Sequence, residues 1–441
     1  MIEDSVRAEY FELLAFESVG ADRSKLRETL ACAMWLKAWL EKLGFSVALK
    51  SDSFSPPVIV AERKGEGKTV LFYGHYDVQP AERPEEWKTP PFVPTVVGDR
   101  VYCRGAQDDK GQFFAFFCGM RDFLESCASA PTIKIVLDGE EESGSGALLR
   151  MAESLRRELS ADAMLVCDTS AAANLRPAIV AGLRGVAHLT LRLKGASRDL
   201  HSGEFGGAAP NPAQGMCELL ASLHHADGSI AVAGFRDGIV PPVREELSAA
   251  EISTPGEEEM AAEIGCDPVG GQMGKSLAQR IGFEPTIEVN GVHSGYGGPG
   301  AKTVIPSEAV AKLSLRLVPG QKPKAAMDAL RRHLEDRVPR GMKLVFEDVN
   351  EGAAGFRLPI GSPAFRLAAD VLEEMDPRGA LYMWDGASIP VLSTLRDITG
   401  AAPVIVGWGQ AENRIHSPDE SYSFEQFAKA REWAAKILAA L

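Results

Sequence analysis

The chain has 441 residues, 47 Lys plus Arg against 61 Asp plus Glu, and a formal net charge of −14. At roughly 150 residues per domain that length suits two to three domains, and 45% hydrophobic with 24% charged residues excludes a disordered or collagen-like chain. A field of this sign repels phosphate backbones and anionic membranes and attracts cations, so no nucleic-acid or membrane partner is expected.

The N-terminus, Met1-Ile2-Glu3-Asp4, has no charged-then-apolar leader, and no apolar run reaches the roughly 18 residues of a membrane span. The 7 cysteines are widely spaced, odd in number and without a CxxC pair, which suits reduced thiols. A cytoplasmic protein is the expectation.

In chain order, Leu26, Leu30, Ala33, Leu36, Leu40 and Leu43 recur at helical spacing, with Ser24 placed to cap the helix and Gly44 to end it. Apolar runs at 69–73, 132–137 and 163–166 have strand length, and helical patterns at 111–126 and 146–158 separate them. Such alternation predicts an α/β domain with a mostly parallel sheet covered by helices.

The middle changes period. Ala187, Leu189, Leu191 and Leu193 alternate, as do Ala311, Leu313, Leu315 and Leu317, leaving Lys312, Ser314 and Arg316 on the opposite face. Residues 342–349 read as a third strand, and 212–225 and 324–338 as helices covering the apolar face. Period two with one polar face predicts an antiparallel sheet in an inserted α+β domain, here residues 184–354. Glycine-bearing hinges at 182–185 and 352–355 bound it, and 243–282 is an acidic excursion within it. The catalytic domain then comprises 1–183 and 355–441, the second part holding a strand at 403–406 and a closing helix at 424–441.

One pattern recurs. The strand at 69–73 leads to His75 and Asp77, and that at 132–137 to Asp138, Glu140, Glu141 and Glu142. The run 164–167 leads to Asp168, and 404–407 leads through a loop to His416. The carboxyl ends of strands in an open α/β sheet line one crevice, so these ends converge imidazoles and carboxylates. Asp108 and Asp109, before the helix at 111–126, add two more acids.

Singly, each has a plain structural reading. A histidine after a strand is more often structural, three acids in a row are usually a solvated loop, and Asp168 alone suits a helix cap. Together, mixed His and carboxylate ligands suit zinc, or manganese or cobalt. The donors exceed the need of one zinc and suit two ions about 3.5–4 Å apart that share a carboxylate, polarise a carbonyl and supply hydroxide near neutral pH. An unligated carboxylate beside them is then the general base. No HExxH or GxSxG occurs, and Gly295-Tyr296-Gly297-Gly298-Pro299-Gly300 reads as a loop, because no apolar strand directly precedes it and prolines interrupt any helix.

The segments Gly74-His75-Tyr76-Asp77-Val78-Gln79-Pro80, Arg104-Gly105-Ala106-Gln107-Asp108-Asp109-Lys110-Gly111 and Gly139-Glu140-Glu141-Glu142-Ser143-Gly144-Ser145 resemble the co-catalytic zinc aminoacylase/carboxypeptidase family. Asp199-Leu200-His201-Ser202-Gly203-Glu204 and Gly300-Ala301-Lys302-Thr303-Val304-Ile305-Pro306 are similar to its cytosolic non-specific dipeptidase and carnosinase branch.

The resemblance implies that Asp108 bridges two divalent ions, with His75 and Asp168 completing one site and Glu142 and His416 the other. It implies Glu141 as general base and acid, Asp77 as the residue orienting His75, and a cis peptide between Asp108 and Asp109. The inserted domain would be a lid that also forms a homodimer, with His201 reaching the partner's site to stabilise an oxyanion. Arg316 would bind the substrate's free carboxylate, and Thr303 and Ser388 would be further substrate contacts. Three features depart from the pattern: Cys103 in place of a usual glycine, the extra acid Glu140, and no histidine in 350–355.

The expected function is hydrolysis of dipeptides or short peptides with a free C-terminus. An N-acyl-amino-acid deacylase using the same site is the alternative. A metal-free binding protein on the same fold is disfavoured, because every expected ligand is present.

Overall fold

The computed structural model describes residues 2–51, 55–386 and 388–441, so Ala387 of the Asp385–Pro390 motif lies outside the described residues. The chain forms two compact units. The first comprises Met1–Ala181, Leu358–Met383 and Val391–Leu441, and the second Gly182–Arg357 and Trp384–Pro390.

The first unit is built on a mixed sheet. Its strands run in the order Ser46–Lys50, Val58–Arg63, Thr132–Asp138, Thr69–His75, Ala163–Val166, Pro403–Ile405 and Ala178–Leu183. The four from Thr132–Asp138 to Pro403–Ile405 are parallel, and the flanking pairs are antiparallel. The parallel centre follows from its sequence, since Val70–Tyr73 and Ala163–Val166 are buried on both faces and need helical cover on each. The antiparallel flanks lay outside the expectation, because their short runs have no strong period. The register sets His75 beside Asp138 and Tyr73 beside Val166, so the metal-type side chains leave the sheet at one edge.

The helix Lys110–Ser126 is buried along most of its length, with Phe116 stacked on Phe72 at 4.1 Å between ring centroids. The closing helix Phe424–Ala440 lies so close to it that a Cβ at Gly119 would stand 2.0 Å from the Arg431 carbonyl oxygen. The helix Leu26–Lys42 ends before Gly44, whose φ of +84° favours glycine. Ser24 is not its cap. It lies in the preceding turn Arg23–Lys25, and the Asp22 carboxylate accepts its N–H. A small sheet joins distant parts of the chain: Ser421–Ser423 pairs with Arg100–Tyr102, which pairs with Thr95–Val97.

The second unit holds a four-stranded antiparallel sheet, in the order Thr286–Ser294, Glu308–Leu317, Gly185–Lys194 and Lys343–Ala353. The alternating Ala187–Leu193 and Ala309–Leu317 side chains bury one face against Met216, Leu219, Met327 and Leu330, from the helices Pro212–Ala221 and Pro323–Glu335. Residues 295–300 form a loop. A strand does precede them, but its side chains are mostly exposed, and no helix follows. Among the described residues, no helix is long and apolar enough to cross a membrane.

Candidate metal centre

Two groups of ligand atoms gather at the sheet edge of the first unit, each with its atoms within 4.8 Å of one another: His75, Asp108 and Asp168, and then Asp108, Glu142 and His416. Asp108 belongs to both. Its Oδ1 stands 3.1 Å from His75 Nε2, and its Oδ2 stands 2.8 Å from His416 Nε2. Asp168 Oδ2 lies 3.6 Å from His75 Nε2, and Glu142 Oε2 lies 3.3 Å from His416 Nε2. One carboxylate thus faces two imidazoles, each beside a further acid.

The strand ends explain this placement. His75 closes the strand Thr69–His75, and Asp168 follows Ala163–Val166 on the neighbouring parallel strand. Asp77 turns back beneath His75. Its Oδ1 is 3.3 Å from His75 Nδ1, and its carboxylate accepts the N–H groups of Glu141 (3.1 Å) and Glu142 (3.2 Å). Asp77 therefore holds both the ring and the turn that carries the next two acids. Gln79 donates to Glu142 Oε2 at 2.7 Å. The Asp108–Asp109 peptide is cis.

The three consecutive acids diverge. The Glu140 carboxylate accepts the Ala147 N–H at 2.9 Å, at the start of the helix Gly146–Leu159, whose N-cap Ser145 makes no side-chain cap. The extra acid is a helix cap. Glu142 joins His416, and Glu141 lies among Asp77, Asp168, Glu142 and His75. Cys103 is also structural: it is buried, donates to the Pro91 carbonyl at 3.2 Å, and burial pushes its thiol up to about 12. Asp109 is absent from both ligand groups and accepts the His75 backbone N–H at 3.3 Å.

The electrostatics are those of acids crowded in low dielectric. Burial, then the charges of Asp168, Asp77 and Glu142, push Glu141 well above the usual carboxylate range, with His75 opposing. Burial likewise brings Asp168 to about 7. Burial disfavours a charged His75, yet the adjoining carboxylates of Asp108, Asp77 and Asp168 raise it well above its ordinary value. Hydrogen bonds to Asp108 and Glu142 raise His416 to about 10. Acids and imidazoles crowded in low dielectric hold protons more tightly than in water, and a cation can neutralise the same crowding. The donor set fits divalent metal: His75 Nε2 and Glu142 Oε1 are buried with no hydrogen-bond partner, although carboxylates surround the ring nitrogen.

The remaining expected site residues lie in the second unit and form two pairs. His201 and Thr303 are brought together by the ladder Leu200↔Ile305, His201↔Val304. His201 Nδ1 accepts the Gly203 N–H at 3.1 Å, which leaves the proton on Nε2, 3.2 Å from Thr303 Oγ1. Arg316 NH1 donates to Ser388 Oγ at 3.0 Å, and Ser388 donates in turn to the Arg184 carbonyl. Sequence reasoning assigned no role to Gln79, Asn413 or Glu420. The last two tie the His416 segment to the Asp108 loop, and the signal for Glu420 was an acid four residues after the candidate ligand His416.

A sequence model of peptidase family M20/M25/M40 matches residues 71–440. The chain belongs to this family. As an M20 member it is an enzyme of the metallopeptidase class. It is 30% identical over 373 residues to human Beta-Ala-His dipeptidase, covering 83% of this chain and 73% of that one. It is 26% identical over 440 residues to the Cys-Gly metallodipeptidase dug1 of Schizosaccharomyces pombe, covering 94% and 91%. Among solved structures, the M20 family metallo-carboxypeptidase Sso-CP2 from Sulfolobus solfataricus superimposes with a TM-score of 0.87 at 27% identity, covering 99% of both chains.

Proposed function

We propose that this M20 enzyme hydrolyses dipeptides or short peptides that carry a free C-terminal carboxylate, with two divalent cations, zinc or else manganese or cobalt, bound through Asp108. The observation that carries the reading is Asp108 itself, one carboxylate shared by two ligand groups that each add an imidazole and an acid. The naming of both curated relatives as dipeptidases supports the substrate class.

Bound there, the ion pair would polarise the scissile carbonyl and lower the pKa of the attacking water. The chain supplies the rest. Glu141, whose carboxyl has a raised proton affinity, takes the proton from the water and delivers it to the leaving amine. Asp77 fixes the His75 ring through Nδ1. Arg316, its fork oriented by Ser388, is assigned the substrate carboxylate, which a guanidinium binds in a bidentate way. His201, its Nε2 proton directed by Thr303, is assigned the developing oxyanion in the partner subunit of a homodimer formed through the lid. The cysteines are all free, two of them exposed, which suits a reducing compartment such as the cytoplasm.

The test is a mass-spectrometric cleavage screen of the protein with added Zn²⁺ or Mn²⁺, against dipeptides with free and amidated C-termini, tripeptides and N-acyl amino acids. Cleavage of free dipeptides and not of their amides is expected. Cleavage of N-acyl amino acids alone would overturn the substrate assignment.

A further inference from the structure

A buried carboxylate outside both ligand groups holds the loop that carries Asp108. Glu420 is 0% exposed. The strand Ser421–Ser423 pairs with Arg100–Tyr102 in the register Ser421↔Tyr102. The ladder runs one step further, the Cys103 N–H donating to the Glu420 carbonyl at 3.0 Å. This register brings the Glu420 side chain to the 104–108 loop. There Oε2 accepts from Arg104 NH1 (2.7 Å) and the Gly105 N–H (3.1 Å), and Oε1 accepts from the N–H groups of Gln107 (3.0 Å) and Asp108 (3.1 Å). Hydrogen bonds to an ionised acceptor are the strong ones, and here both oxygens are engaged by the loop.

The segment that supplies Glu420 also supplies His416. Asn413 ties it a second time: its Nδ2 donates to Gln107 Oε1 at 2.7 Å, and the Arg100 guanidinium donates to its Oδ1. Arg414, His416 and Asp419 all hold positive φ (57°, 57° and 63°), conformations that non-glycine residues keep only where their surroundings fix them. Asp419 supplies part of that fixing, by accepting the Lys88 N–H at 2.8 Å. The loop bearing Asp108 and the turn bearing His416 are therefore locked to each other through one strand pairing, one buried carboxylate and one amide.

We propose that Glu420 is a positioning residue for both metal ions: it fixes the backbone of residues 105–108 and so sets Asp108 against His416. This rests on the two-ion reading above. It has a consequence that a general stabilising role lacks. Displacing a shared ligand weakens both ions together, whereas removing an unshared ligand weakens one.

The experiment titrates Zn²⁺ into the apo full-length protein against a chromophoric chelator, with circular dichroism of the apo form alongside. The variants are Glu420→Gln, which turns an amide N–H toward backbone donors, and Glu142→Gln as a one-ion control. The double variant Arg104→Gln/Glu420→Gln removes both buried charges and serves if the single variant does not fold. The expected result is that Kd rises for both ions by about 10–100-fold in the Glu420 variant, and for one ion in the control. Unchanged affinities for both ions, weakening of one alone, or a lowered thermal midpoint with wild-type affinities would each overturn the role of Glu420. Wild-type protein that holds fewer than two ions would instead overturn the two-ion reading.

Discussion

Gly111, the second residue of the helix Lys110–Ser126, offers a test in which two effects oppose each other. Its φ is not in the left-handed region, so Gly111→Ala is compatible with the backbone, and helix propensity alone predicts a gain of at most about 1 kcal/mol. The space is absent. A Cβ there would lie 1.8 Å from the Ala106 carbonyl oxygen and 2.8 Å from the Tyr10 hydroxyl, which donates to that same carbonyl at 2.5 Å. Overpacking costs about 1–3 kcal/mol, and leaving the buried hydroxyl and carbonyl unpaired costs about 1–3 kcal/mol more.

Sterics therefore win, with a net loss of about 1–6 kcal/mol. The larger consequence is local. Ala106 must retreat by more than an ångström to restore a normal contact, and it lies two residues before Asp108. A displacement of about 1 Å at reacting groups can cost 10²-fold in rate. Denaturant unfolding and kcat on a dipeptide, measured on the same preparation, check both parts. A Gly111→Ala protein with wild-type kcat and unchanged or raised stability would refute the argument that this contact sets the Asp108 loop.

Further outcomes follow from individual contacts. Glu141→Gln should lower kcat by about 10²–10⁴-fold while the metal content stays that of the wild type; loss of metal would move Glu141 into the ligand set. Arg316→Ala should raise KM for free dipeptides with bound metal unchanged, and a wild-type KM would remove its carboxylate assignment. His201→Ala should cut kcat by about 10²–10³-fold with bound metal unchanged, and full activity of the purified variant would reject the oxyanion role. Glu140→Ala should cost about 0.5–2 kcal/mol in thermal unfolding and leave kcat within about twofold, because its carboxylate caps a helix; a kcat loss without a stability loss would contradict that placement.

The legible part of the site was the part written locally. Buried-type strands of a parallel sheet are continuous apolar runs, so the acids and histidines at their ends stand out: His75 after Val70–Tyr73, Asp168 after Ala163–Val166. The shared position of Asp108 came through resemblance to a family motif, since nothing in two adjacent acids tells which of them joins the ligand groups. Glu140 looked like an anomaly for the same reason. Three consecutive acids have no visible direction until a turn sends one to a helix N-terminus, one to His416 and one between them.

Glu420 was missed on different grounds. Its partner Arg104 lies 316 residues away, and the pairing depends on a strand of only three residues, Ser421–Ser423. A strand that short has no detectable period, and an acid inside Pro-Asp-Glu-Ser reads as a solvated turn. The antiparallel flanks of the main sheet escaped likewise. Ser46–Lys50 is largely exposed or half-exposed and lacks the apolar run that marked the centre. In the second unit Gly185–Lys194 and Glu308–Leu317 were legible, because one face is buried and period two sets the register, whereas the mostly exposed Thr286–Ser294 was missed.

The most direct test of the central claim is anomalous diffraction from crystals of the Zn²⁺-loaded protein, recorded at the metal absorption edge. The account predicts two peaks, each within coordination distance of the Asp108 carboxylate, one also beside His75 and Asp168 and the other beside Glu142 and His416. A single peak, or a pair that does not share Asp108, would contradict it.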